Sequence, residues 1–234
     1  MASILVGTKD FRAAMRSVIV HTGRNPKWPE YSRVRLDIGP ENVTLTATDR
    51  FTTGLAIVSV MTHLEAELEV LDLTPDDAAK ILSLFKAGTE TDDEPEYLLR
   101  IETDETHVKI TDSSGMIDGR SLKLPRQPLE ENFPDVARLL SKAHHAPPTI
   151  LEAMAVNGPL LTRFKDAAAA YKQPLILEAN IGWRSIFVRC GDSFLGTVSP
   201  AQVDDALNKG WASDWTRRLP DPNTEPEKDG SADA

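Results

Sequence analysis

Cysteine is almost absent from this 234-residue chain: Cys190 stands alone, so no disulfide can form within it. That excludes a disulfide-stapled scaffold and favours a reducing, cytoplasmic setting. No apolar run approaches the ~18 residues of a bilayer-crossing helix, so no membrane partner is expected. The first ten residues lack the basic stretch, apolar core and small-residue cleavage site of a secretory leader.

Chemistry-bearing clusters are missing as well. His144 and His145 adjoin Pro147 and Pro148 in a segment read as linker. Adjacent histidines diverge, and no Cys or Asp lies at ligand spacing, so no metal is expected there. Cys190 has no histidine at a catalytic spacing and reads as a small strand residue. The acidic run 91–96 lacks the glycine and alternating oxygen ligands of a calcium loop. No glycine cluster forms a phosphate-cradling loop, and nothing matches a nucleophile elbow. Neither an enzyme nor a resident cofactor is expected.

What is present is an ordinary core-forming composition, 41% hydrophobic and 26% charged, with a net charge of -10. The charge is unevenly spread. Residues 1–61 hold 8 basic against 5 acidic side chains, and residues 120–203 hold 10 against 7. Between them, residues 62–119 hold 16 acidic against 4 basic, and the tail from Asp204 holds 8 against 4. An acidic exterior with local basic surfaces resists random adhesion to polyanions while tolerating one in a single place.

Hydrophobic periodicity points to a recurring unit. A strand at 3–7 leads to a helix over about 9–20, buried through Phe11, Met15, Val18 and Ile19. Alternating strands follow at 34–38, 43–48 and 55–60. The order then repeats: a strand at 68–71, then a helix opened by Thr74 as N-cap with Pro75 at its first position. Gly88 is expected to end that helix, and strands follow at 97–102, 107–112 and 120–124. A third, shorter unit reads as a strand at 150–156, a helix at 159–171, and strands at 175–179, 185–188 and 194–198. Residues 203–219 suit a helix carrying Leu207, Trp211 and Trp215. The tail from Pro220 is rich in Pro, Asp and Glu and reads as disordered. Such tandem βαβββ units pack as helices on one face of antiparallel sheets, an α+β class.

Several segments resemble the bacterial DNA polymerase III β sliding clamp, in order along the chain. They are Val43–Phe51 (VTLTATDRF), Leu73–Leu82 (LTPDDAAKIL), Gly119–Pro125 (GRSLKLP) with Phe133–Leu140 (FPDVARLL), and Gly191–Pro200 (GDSFLGTVSP). The first 140 residues or so carry most of the likeness. It implies a DNA-clamp fold, with a complete domain at 1–126, a linker and shortened second domain at 127–203, and a helix and acidic tail at 204–234. It also implies a processivity role: tethering a DNA polymerase to duplex DNA, loaded by a clamp loader, as a cytoplasmic homo-oligomeric ring. Two domains per subunit would favour a trimer. A compact form of this kind suits a bacteriophage source. The alternative on the same fold is an adaptor or antagonist that binds replication proteins without encircling DNA.

A clamp holds DNA through cations on the helices that line its hole. Lys9, Arg12 and Arg16 share one helical face opposite the apolar stripe. Arg24 matches a loop arginine that contacts DNA in the family, and Lys27 lies beside it. Arg163 and Lys165, with Lys172, are the candidates of the third unit, and Lys80 and Lys86 the only cations of the second helix. The family also receives partner peptides in an apolar groove near its last strand, which maps to Thr197, Val198 and Pro200. There Ser199 replaces the methionine that family members place before the proline, removing a flexible apolar surface. Trp211 and Trp215 either cover that groove, dock a partner, or pack the last helix onto the body.

Overall fold

A computed structural model of the chain describes residues 2–65, 68–88, 96–150 and 154–219. Residues 1–200 form one compact unit and residues 201–234 a second. The elements of the first two repeats appear in the expected order. They are β1 (Ser3–Gly7), α1 (Thr8–Ile19), β2 (Val34–Ile38), β3 (Asn42–Thr48) and β4 (Thr52–Glu65), then β5 (Glu69–Leu73), α2 (Pro75–Leu84), β6 (Leu98–Thr103), β7 (His107–Asp112) and β8 (Ser121–Pro125). Phe11, Ala14, Met15 and Val18 bury one stripe of α1 completely, at the spacing an amphipathic helix needs. Thr74 caps α2 by accepting from the Asp77 amide at 3.1 Å, with Pro75 at the first position.

Strand pairing is antiparallel throughout, in the order β8-β7-β6-β1-β4 and onward through the third repeat. β3 pairs with β4, and β2 pairs with β3 and β5. Sequence alternation predicts a short β4 at 55–60, whereas the strand spans 14 residues. Both of its ends have partners that periodicity could not show: Val60 onward meets β1, and Thr52–Ala56 meets the last strand. Hydrogen-bonded partners, more than alternation, set a strand's length.

After residue 126 the chain adds α3 (Val136–His145), β9 (Pro148–Thr149), α4 (Gly158–Thr162), α5 (Lys165–Tyr171), β10 (Leu175–Asn180), β11 (Ile186–Cys190) and β12 (Phe194–Val198). β12 pairs with β4 in the register Gly196↔Gly54, extending the same sheet through β11 and β10 to β9. The segment read as linker holds a helix, α3, which Asp135 caps by accepting from the Arg138 amide at 2.9 Å. His144 and His145 sit in its last turn. Phe133, Val136, Leu140 and Ala143 cover Leu55 and Phe187. These two alternate with Ala56 and Val188, which face the main core, so α3 lies on the opposite face of the sheet from α1, α2 and α5.

Three expectations give way here. The strand at 150–156 is replaced by the two-residue β9 and a single Val156↔Pro200 bridge, with 151–153 outside the described residues. The helix at 159–171 is two helices, broken where Phe164 enters the core fully buried. α2 stops at Leu84 rather than near Gly88, because Phe85 turns extended and buries its ring. Most of the acidic run 91–96, together with the tail from Pro220, lies outside the described residues.

α1 is the middle helix, packed against α2 on one side and α5 on the other. All three share the main core with the sheet. The second unit holds α6 (Asp205–Arg218), on which Trp211 and Trp215 are both exposed. Among the described residues no helix is long and apolar enough to cross a membrane.

Candidate nucleic-acid interface

The three cations of α1 have different surroundings. Lys9 and Arg16 are exposed, while Arg12 is half-buried. The Arg12 guanidinium donates to the carbonyls of Leu82 and Phe85, the oxygens left without intrahelical partners where α2 ends. Burial, with Arg16 nearby, lowers the Arg12 pKa from its ordinary value. Arg12 is thus chiefly an anchor between α1 and α2.

Beside it runs an open groove of about 540 Å³. Five cations line it: Lys9, Arg12 and Arg16 from α1, Lys86 from the chain leaving α2, and Lys172 at the end of α5. The rest of the lining, among the described residues, is Ala13, Ala87, Gly88, Ala169 and Ala170. Short side chains leave the floor low, so long cations stand at the walls. The arrangement is concave and, among the described residues, lined by cations and small side chains, which suits a phosphate backbone taken without regard to sequence.

The other expected cations lie elsewhere. Lys80 is exposed on α2 and paired to Asp77 at 2.8 Å, which offsets its charge. Arg24 and Lys27 are exposed in the loop after α1, where Arg24 lines a separate cleft with Trp28 and Phe51. Lys165 is exposed in the first turn of α5 but is not among the groove residues. Arg163 has a structural partner of its own. It donates to Asp49 at 2.6 Å and to the Thr52 hydroxyl at 2.8 Å, stapling the α4–α5 break to the β3–β4 turn.

The three peptide-groove residues differ in exposure. Thr197 and Val198 are buried, and the Thr197 hydroxyl meets that of Thr53 at 2.8 Å across the β12–β4 seam. Of the three, only Pro200 is exposed.

Reading the sequence missed His21 altogether. It follows α1 and is fully buried against Phe164, with ring centroids 4.8 Å apart, and Phe194 at 6.1 Å. Neither ring nitrogen has a hydrogen-bond partner. Burial, then the nearby Arg163, pushes its pKa down to about 3, with Asp49 opposing. The imidazole is therefore neutral and acts as an apolar filler of the seam. Gly54 makes room for it: a Cβ there would stand 2.5 Å from the His21 Cδ2. Among the described residues no group of three His, Cys, Asp or Glu is placed to hold a metal.

No family model and no curated protein matches the chain. Among solved structures, the DNA polymerase III β subunit of Thermotoga maritima superposes with a TM-score of 0.65 at 10% identity, over 89% of this chain and 67% of that one. The DNA polymerase sliding clamp of Bacillus subtilis gives 0.61 at 12% identity, over 86% and 64%. A Pseudomonas aeruginosa sliding clamp gives 0.58 at 15%, over 95% and 69%. The fold is that of the sliding clamps, α+β with a large antiparallel sheet and few helices. The chain spans about two thirds of the length of these proteins.

Proposed function

We propose that this chain is a clamp-like DNA replication factor that rides on duplex DNA without reading its bases and tethers a polymerase or related partner there. The observation that carries the reading is the groove of five cations drawn from α1, the chain leaving α2 and the end of α5, on an otherwise acidic protein. In this reading residues 1–126 are a complete clamp-like domain of two βαβββ units, and residues 127–200 a shortened second one. Copies join edge to edge into a ring. Among the described residues, Leu175–Glu178 of β10 and the outer side of β8 pair with no further strand, so each end of the sheet has backbone groups for a neighbouring copy.

Chemistry takes no part. Lys9, Arg16, Lys86 and Lys172 neutralise phosphates and release counterions, and Arg12 holds α1 to α2 so that the cations stay aligned. The test is retention on DNA at moderate salt. A tethered ring stays on nicked circular duplex and runs off a linear one of the same length.

The open β10 edge also favours a second reading, in which a replication protein supplies the missing strand and the chain is an adaptor that never encircles DNA. Sedimentation separates the two. A closed oligomer of the free chain supports the ring, and a strict monomer at working concentration supports the adaptor.

A further inference from the structure

A second surface lies outside the cationic groove. Trp28 is 43% exposed and Phe51 56% exposed. Both line a cleft of about 260 Å³ together with Arg24, Asn25, Tyr31 and Arg50. The Arg50 guanidinium stands 4.6 Å from the Trp28 ring centroid, in cation–π contact. Arg50 has φ 81°, a left-handed backbone that glycine would adopt without strain. The turn enforces that conformation: the Arg50 amide donates to the Thr48 hydroxyl, and the amides of Phe51 and Thr52 both donate to Asp49 Oδ1. Strain kept in place by such a network, with an exposed cation–aromatic pair as its product, points to a ligand.

The electrostatics favour an anion. Arg24 and Arg50 line the cleft and are exposed, and the exposed Lys27 precedes Trp28 in the same loop. Its one carboxylate, Asp49, is spent, with Oδ1 on the turn amides and Oδ2 on Arg163. The platform is also preformed. Gly23 donates to the Tyr31 carbonyl at 2.7 Å and Trp28 to the Asn25 carbonyl at 3.0 Å, closing the loop that carries the indole. Flat π-faces beside cations match an unpaired nucleotide: the base stacks on the Trp28–Arg50 pair or on Phe51, and the phosphates meet Arg24 and Lys27.

We propose that the Trp28–Arg50–Phe51 cleft is a single-strand site that stacks one or two unpaired bases of a polynucleotide. The inference does not rest on the groove, which would take duplex by charge alone. Its test uses the full chain and fluorescein-labelled oligo(dT), followed by anisotropy. Trp28→Ala should weaken oligo(dT) binding about ten-fold, the loss of one stacked base, and leave duplex affinity unchanged. Trp28→Phe, which keeps a π-face, should recover most of the loss, so misfolding cannot mimic the result. An abasic oligomer of equal charge should bind the unmodified protein as weakly as oligo(dT) binds Trp28→Ala. Equal binding of the abasic and dT strands overturns the proposal, as does an absence of oligo(dT) binding or an equal loss for duplex and single strand.

Discussion

Arg163 meets Asp49 at 2.6 Å across 114 residues of chain. A cation that reads as a phosphate ligand staples the third repeat to the first. Beside it Gly54 faces Gly196, His21 fills the space under Phe164, and Thr53 meets Thr197. Packing and polar bonds together fix where α5 stands, and so where Lys172 stands in the groove.

Arg163→Ala is expected to destabilise the protein by about 2 kcal/mol, the usual worth of a partly buried charge-assisted bond. Duplex affinity at fixed salt should not change. Chemical denaturation and a binding titration on the same variant check both halves.

Arg12 and Arg16 should separate in the same pair of measurements. Arg12→Ala strips the donors from the Leu82 and Phe85 carbonyls and should cost about 1–3 kcal/mol of stability. Arg16→Ala removes an exposed side chain and should leave the melting temperature nearly unchanged while weakening duplex binding.

Acid should loosen the seam through His21. Its pKa is about 3 in the folded chain against 6.5 for an unperturbed histidine, so the unfolded state binds the extra proton between those values. Stability is full above pH 6.5 and declines as pH falls toward 3, with a slope of about 1.4 kcal/mol per pH unit from this group. His21→Leu should flatten that slope, read from denaturation midpoints across the acid range.

Asp72 makes a second, independent prediction. It accepts from Arg33 and Arg35 at 2.9 Å and from the Glu130 amide at 3.0 Å, binding β2 and β5 to the chain beyond β8. Burial raises its pKa, but the bonds from Arg35, Glu130 and Arg33 outweigh that and leave it below the ordinary carboxylate value. The stability it contributes is therefore present above about pH 4 and lost as pH falls through its lowered folded value. Asp72→Ala leaves two arginines facing one another and should cost about 3–5 kcal/mol, seen as a lower denaturation midpoint at neutral pH.

Local chemistry made much of the fold legible. Thr74 and Pro75 announce α2, strict alternation marks β2 to the residue, and the stripe Phe11, Met15, Val18 sets the buried face of α1. What stayed hidden depends on partners far along the chain. The break at Phe164 follows from a core and an Asp49 that periodicity cannot see, and the length of β4 from strands at both of its ends. The Val136, Leu140, Ala143 spacing of α3 was readable as a helix, but the surrounding prolines made the stretch look like linker. At the site, the exposed face of α1 was legible. Lys86 and Lys172 enter the groove from positions beyond their helices, so helical faces alone could not group them with Arg16.

The salt dependence of duplex binding tests the central claim most directly. Two unrelated duplexes should give the same affinity and the same slope of log K against log salt. Replacing Arg16, Lys86 and Lys172 together by alanine should reduce the magnitude of that slope by about 2.7, roughly 0.9 for each phosphate that is no longer neutralised. An unchanged slope, or an affinity that follows the base sequence, would contradict the account.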